Sequence, residues 1–435
     1  MTITAPTKTV AVLGSAYGGI GAAASLARRL PSDWRVVLID RNTHANHVYP
    51  FPRFTVLPEH APKAFLPLSR VFANARLTEV QGNVPESERT GSPLPPAPEL
   101  PASHAHQQIQ GVITALSPNS VTYVLAKDGA YDDIDLQNPP AERVETLAFD
   151  YCVYALGGAL SAPSDAWAEY PGGGRGTKAG GVAFLARQGK VVEQAQSIIV
   201  VGGGALGIQF ATDIKDVHPS KEVTLLHSRP RLMPIYSEGL HDEVVRRCGE
   251  LGVNLVLGER VMSWPTNPGV LDGTPKTVTT DKGTSLSADL VLVCTGTKPH
   301  SGFMRALDAD AVAPNGCIRV KDTLQVASDD GRWDTFFAIG DCADTTAIRA
   351  GHMSFAMGSV AARNIVRLIA AKGKEATAEL EKYVPEEAKI KVTLGLRHNC
   401  VATPSIATPG DNGVPDIGAK GMWVLAGAQG MPDDA

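Results

Sequence analysis

The sequence predicts an α/β fold: two Rossmann-like domains, the second inserted in the first, and a small C-terminal region. Three observations predict it. VLGSAYGGIG at 12–21 and VVGGGALGIQ at 200–209 each set a glycine-rich turn between an apolar strand pattern and a helical pattern. Each helical pattern runs into another apolar strand, RVVLID at 35–40 and EVTLLH at 222–227. Strand, turn, helix and strand therefore recur within one chain, the mark of a duplicated βαβ opening. The third observation is TFFAIGDCAD at 335–344, an apolar strand ending in Gly340-Asp341 that returns the chain to the first unit. Residues 1–158 and 300–372 are assigned on this basis to one dinucleotide-binding domain. Residues 159–299 form the other, and 373–435 form the C-terminal region.

The elements follow in order. KTVAVL at 8–13 reads as the first strand, IGAAASLARRL at 20–30 as the first helix and RVVLID as the second strand. Residues 83–104 carry six prolines and few apolar residues, so they read as an exposed loop. FDYCVYALGG at 149–158 is a strand entering a tight glycine turn, and ADLVLVCTGTKP at 288–299 repeats that pattern in the second unit. A long helical pattern covers about 352–371. From 373 onward a short charged helix is expected among Gly/Pro-rich stretches.

Composition narrows the function. With 43% hydrophobic and 20% charged residues over 435 positions, the chain is globular and long enough for two or three domains. A formal net charge of -5 gives no basic excess for phosphate backbones, so no nucleic-acid partner is expected. The six cysteines, at 152, 248, 294, 317, 342 and 400, form neither C-x2-C nor C-x4-C. That spacing argues against a metal site and a dithiol redox pair, and suits small buried core residues in a reducing compartment. The N-terminal MTITAPTKTV has no signal or transit pattern, and Thr2 stands where myristoylation needs glycine. No apolar run reaches the roughly 20 residues of a bilayer span. A cytoplasmic protein is expected, with at most peripheral contact to a membrane or lipid droplet.

The two turns carry the chemistry. Gly202, Gly204 and Gly207 complete a G-x-G-x-x-G pattern between a strand and a helix. The helix N-terminus there offers free N–H groups and a positive dipole end to a pyrophosphate. The first turn reads Gly14, Ala16 and Gly19 in that register, so a methyl stands where the backbone normally approaches the pyrophosphate. Asp40 lies at the end of the next strand, where an acid accepts hydrogen bonds from a ribose diol. The same count from Gly202 reaches Ser228, between His227 and Arg229. No carboxylate stands there to repel a 2′-phosphate, and Arg229 can pair with one, so the second site is expected to accept NADPH, with a preference for it over NADH. At the end of its strand, Asp341 can bond a ribityl hydroxyl. The helix starting near 352 can aim its positive end at a flavin pyrimidine. FAD is therefore expected in the first unit.

These motifs resemble one group of flavoproteins with two dinucleotide-binding domains. VAVLGSAYGGIGAAA, FDYCVYALGG, IIVVGGGALGIQFATDI with EVTLLHSR, and FFAIGDCAD followed by AARNI carry the resemblance. So do His47, Arg53, Lys63 and Phe65 by their spacing. The chain is similar to the AMID-like, ferroptosis-suppressor-like relatives of apoptosis-inducing factor, of the fungal type, within the pyridine nucleotide-disulfide oxidoreductases. That resemblance implies FAD contacts at Gly14, Ser15, Ala16, Gly18, Gly19, Asp40, Arg53, Gly157 and Asp341, with the backbone at Ile113 beside adenine. Arg53 would neutralise the pyrophosphate or face the adenosine half. NAD(P)H would be held by Gly202, Gly204, Gly207, Ser228, Arg229 and Gly296. The chain departs from the family pattern at Ala155-Leu156-Gly157-Gly158, at Gln209 in place of an acid, and at Arg349 in place of a lysine. Asp213 keeps the second acidic position of its helix.

The resemblance implies an oxidoreductase that passes hydride from NAD(P)H through flavin N5 to an electron acceptor, expected to be a quinone. The flavin carries the reaction, so no side chain is required as nucleophile. Lys63, Arg349 and His352 are candidate helpers near the ring. Two other readings stay open at this point. One is a redox-sensing protein that signals through an NAD(P)-dependent conformation. The other is a flavoenzyme of specialised metabolism. A homodimer is compatible with all three.

Overall fold

A computed structural model describes residues 8–72, 106–161, 165–167, 173–372, 378–411 and 413–435. The expected Pro-rich loop at 83–104 lies outside the described residues. The Lys8–Leu13 strand is central because every side chain after Lys8 is apolar or small and buried on both faces of a sheet. It pairs in parallel with Trp34–Asp40 on one side and Tyr151–Tyr154 on the other. Phe336–Ala338 extends the sheet beyond Tyr151–Tyr154, again in parallel. Gln107–Ser117 joins Trp34–Asp40 in parallel and then turns into an antiparallel meander with Ser120–Leu125 and Val144–Ala148. The result is one seven-stranded sheet.

The helices follow from the glycine turns. α1 (Tyr17–Arg29) leaves the first turn and packs on one sheet face, and α2 (Phe51–Val56) is buried along its whole length. α3 (Lys178–Gln194) is capped by the Thr177 hydroxyl, which accepts from the Gly180 N–H at 3.0 Å. It leads to the second glycine turn and α4 (Ala205–Val217). α5 (Glu238–Leu251) ends on Gly252 in the left-handed conformation. α6 (Gly302–Leu307) and α7 (Gly351–Ala371) complete the first unit. α1 and α7 cross closely: a Cβ on Gly358 would lie 2.3 Å from the Gly18 carbonyl oxygen.

The second unit is inserted in the first. Its four parallel strands run in the order Asn254–Leu257, Glu222–His227, Ser197–Val201 and Leu290–Val293, all between the Tyr151–Tyr154 and Phe336–Ala338 strands in sequence. The chain enters and leaves it through an antiparallel pair, Gly158–Ala159 against Lys298–Pro299.

The C-terminal region differs from the sequence expectation. No helix forms over 378–389; three antiparallel strands, Ile390–Thr393, His398–Ala402 and Ala407–Asp411, follow instead. Among the described residues, the segment has no core of its own. Val392, Leu394, Cys400 and Ala402 join the core of the second unit, with Leu240 and Val244. Trp423, Leu425 and Ala426 join that of the first, with Leu26 and Leu30. Charged residues at 378–389 that suggested a helix are used in contacts: Glu381 bonds Arg363 and Arg367 of α7.

Candidate active site

The first turn is built by close backbone packing. The Gly14 N–H donates to the Ile39 carbonyl at 2.8 Å, and Gly14 has φ +97°, where a Cβ would lie 2.5 Å from the Ala155 oxygen. Beside it, one Asp40 oxygen accepts from the Ser15 N–H at 2.7 Å and the other from the Asn42 N–H at 2.8 Å. Ala16 is the residue preceding α1, with φ -71° and ψ -171°, an extended conformation that any L-residue adopts. A cleft of about 580 Å³ opens here, and Gly14, Ser15, Ala16, Gly18, Asp40, Ile113, Gly157 and Asp341 all line it.

This cleft fits FAD. The Ser15 hydroxyl and the Asn46 side-chain oxygen are buried at its wall without a hydrogen-bond partner. Gly157 has φ +63° and open space where a Cβ would stand. The N-terminus of α7 enters through Ala350, Gly351 and Ser354. Burial pushes the Asp341 carboxyl up, and Arg349 opposes that shift. Tyr17 and Tyr49 also line the cleft; Tyr17 shares a hydrogen bond with His47 Nδ1, and the Gly351 N–H donates to the Tyr49 hydroxyl at 3.2 Å. Burial holds His47 down at about 4, so it is neutral at neutral pH. Sequence reasoning missed Trp167, which stands between the guanidinium groups of Arg41 and Arg175, each 4.5 Å from the ring centre. Arg41 and Trp167 line the Asp40 end of the cleft. Three separate chain segments meet there, so no local pattern announces it.

The second turn repeats the first. The Gly202 N–H donates to the Leu226 carbonyl at 2.8 Å, and a Cβ on Gly202 would lie 2.3 Å from the Cys294 oxygen. The second cleft, about 750 Å³, is lined by Gly202, Gly204, Ser228, Arg229 and Gly296 among others. Cβ atoms on Gly204 and Gly296 would meet nothing within 4 Å, so that space is open to a ligand. Here the register corrects the sequence count. Leu13 pairs with Ile39, and Val201 pairs with Leu226. Asp40 therefore corresponds to His227, one residue before Ser228, because the second unit is one residue shorter between turn and strand end. The Gly203 N–H donates to His227 Nδ1 at 3.0 Å, as the Ser15 N–H does to Asp40. Arg260 also lines this cleft and was not anticipated.

Several expected contacts fall elsewhere. Arg53 is 1% exposed and lies off the cleft lining. Its Nε and Nη2 bond both oxygens of buried Asp213 at 3.0 Å, Nη2 also bonds the Gly395 carbonyl, and Nη1 bonds those of Leu396 and Pro415. All five donors are engaged, so none is left for a pyrophosphate. Lys63 pairs with Asp416 at 2.6 Å, and exposed His352 is not part of the cleft lining. Gly19 and Gly207 line neither cleft: a Cβ on each would lie 1.8 and 1.9 Å from the Gly14 and Gly202 oxygens, so they serve helix–turn packing. Arg349 stays on the wall, donating to the Thr297 carbonyl at 3.2 Å and to Cys317 Sγ at 3.2 Å. Gln209 also lines the first cleft and donates to the Thr393 hydroxyl.

Leu160, Ala205, Leu206 and Thr297 belong to both linings, so the two clefts meet at one wall. The six cysteines are free, and burial pushes the Cys294 and Cys342 thiols up to about 12. A nucleotide fold that occurs twice in one chain and joins its clefts at a common wall defines a two-nucleotide oxidoreductase. The sequence agrees: the family model for pyridine nucleotide-disulphide oxidoreductases matches residues 8–363, and the chain belongs to that family. It is an oxidoreductase of the class that uses FAD and NAD(P)H. Fe-regulated protein 8 of Mycosarcoma maydis is 35% identical over 434 residues, 97% of this chain and 95% of that protein. Ferroptosis suppressor protein 1 of Homo sapiens is 30% identical over 278 residues, 62% of this chain and 69% of that protein. The family resemblance drawn from the motifs is borne out by these relatives. In fold, the chain is similar to the water-forming NADH oxidase from Lactobacillus brevis, with TM-score 0.57 and 20% identity over 91% of this chain and 75% of that one.

Proposed function

We propose that this chain transfers a hydride from NAD(P)H by way of FAD to a quinone. The observation that carries the reading is the shared wall of Leu160, Ala205, Leu206 and Thr297, which lets the two nucleotides meet end to end. Bound FAD would supply the redox chemistry by taking up and releasing two electrons. The protein would bind and orient. The N-terminus of α1, with Ser15 and Ala16, would hold the FAD pyrophosphate, Asp40 the ribose and Asp341 the ribityl chain. The N-terminus of α7 would stabilise negative charge at the pyrimidine end. Gly202, Gly204 and the N-terminus of α4 would hold the NAD(P)H pyrophosphate. Arg349, tied to Thr297, would fix the wall where the rings approach.

The water-forming oxidase that shares this fold is itself bound to NADH. The Cys294 and Cys342 thiols take no part in this reading: pushed up to about 12 by burial, they carry no thiolate at neutral pH. The test is anaerobic reduction of the yellow holoprotein by NADH and NADPH, followed by a panel of acceptors that includes a soluble quinone. Rapid bleaching and multiple turnovers with the quinone are expected. Bleaching without turnover on any acceptor would instead support the redox-sensing reading, and faster turnover on another metabolite would reassign the acceptor.

A further inference from the structure

The second nucleotide unit repeats the hydrogen bonds of the first and departs from it at one side chain. In the first unit Asp40 has two acceptor oxygens; it holds the Ser15 N–H with one and the Asn42 N–H with the other, and lone pairs remain for a ribose diol. In the second, His227 holds the equivalent Gly203 N–H with Nδ1 at 3.0 Å. That uses the only acceptor of a neutral imidazole, so its proton sits on Nε2. His227 can offer a ribose hydroxyl no acceptor. Its Nε2 is a buried donor without a partner at the cleft wall.

The surroundings add donors. Arg229 follows the same strand, and Arg260 follows the neighbouring Asn254–Leu257 strand. Both line the cleft and are exposed, and neither is in an ion pair among the described residues. Ser228 adds a hydroxyl between them. Glu259 is the one carboxylate in the described lining; it accepts from the Thr280 hydroxyl at 2.7 Å. Three donor groups, His227 Nε2 and the Arg229 and Arg260 guanidinium groups, face one carboxylate here, a balance that suits an added anion.

We propose that His227, Arg229 and Arg260 form the site for the 2′-phosphate of NADPH, and that the chain selects NADPH over NADH. The proposal rests on the reading of the second cleft as the nicotinamide-nucleotide site. Arg260 reaches from a different strand end than Arg229, so the two planar guanidinium groups can close on one phosphate from two directions.

The test measures binding to the FAD-loaded protein by calorimetry, with adenosine 2′,5′-bisphosphate and adenosine 5′-monophosphate as ligands. The bisphosphate is expected to bind about tenfold or more tightly than the monophosphate. Arg229→Ala and Arg260→Ala should each weaken the bisphosphate by roughly tenfold and leave the monophosphate within about twofold. His227→Asp keeps an acceptor for the Gly203 N–H and should reverse the preference. Equal affinities in the unmodified protein, or equal losses for both ligands in Arg260→Ala, would overturn the phosphate site and leave the nucleotide reading standing. Failure of both ligands to bind, together with no flavin bleaching by NADH or NADPH, would overturn the nucleotide reading itself.

Discussion

At the residue scale, Ala16 and Arg53 show how far chemistry can be read from residue type. Ala16 replaces the glycine that usually faces a pyrophosphate, yet its extended backbone makes no demand for glycine. Gly204, its counterpart, also precedes its helix in an extended conformation, with open space at its missing Cβ. Only a bound ligand can feel the methyl. Ala16→Gly is therefore expected to change FAD affinity by less than about tenfold, by fluorescence titration of the apoprotein. Arg53 is a cation at family spacing near the cleft, but its five donors are all used inside the protein. Burial pushes the Asp213 carboxyl up, and Arg53 pulls it back. Arg53→Ala would leave that carboxyl buried without its partner, at a cost of about 3–5 kcal/mol. A lower urea midpoint with nearly unchanged FAD affinity in the folded fraction is expected; an FAD affinity lost at full stability would return Arg53 to the pyrophosphate.

At the scale of elements, α7 depends on a segment that follows it. Glu381 accepts from Arg363 at 2.6 and 2.8 Å and from Arg367 at 3.2 Å, while its backbone N–H and carbonyl bond the Asn364 side chain at 2.7 and 2.8 Å. Arg363 and Asn364 of the AARNI motif thus form a socket for Glu381 of the tail. Glu381→Gln keeps the shape and removes the charge between two buried arginines, which should cost about 3 kcal/mol. Hydrogen exchange should accelerate over residues 378–389 and stay slow in the Lys8–Leu13 strand. Unchanged protection at 378–389 would mean the arginines find other partners. The charge pattern of this stretch suggested a helix because its local composition allows one; the partners that outweigh that preference lie 14 to 18 residues away.

At the scale of the whole molecule, the insertion of one nucleotide unit in the other decides where the clefts meet. Leu206 sits on the wall common to both. Leu206→Trp should fill the meeting point, leave FAD content and adenosine 2′,5′-bisphosphate binding intact, and slow anaerobic reduction by about 10²-fold, because close approach of the reacting atoms is lost. A normal reduction rate would place the contact elsewhere on the wall.

Much of this was legible in the sequence. The glycine turns, Asp40, Gly157, Asp341 and Gly296 lie on their clefts, since the constraint that fixes each is local: a turn, a strand end, a helix start. The sequence by itself determined the duplicated α/β fold, the succession of its first strands and helices along the chain and the absence of any paired cysteine motif, through apolar periodicity and residue spacing. The tertiary structure alone decided that His227 and not Ser228 matches Asp40, because one residue of helix–strand spacing is invisible until the strands pair. It also decided that Arg53 serves Asp213 and not a pyrophosphate, and that Trp167 stands between two arginines. Each of those outcomes depends on which distant segments share a buried space, and burial is a property of the packed chain.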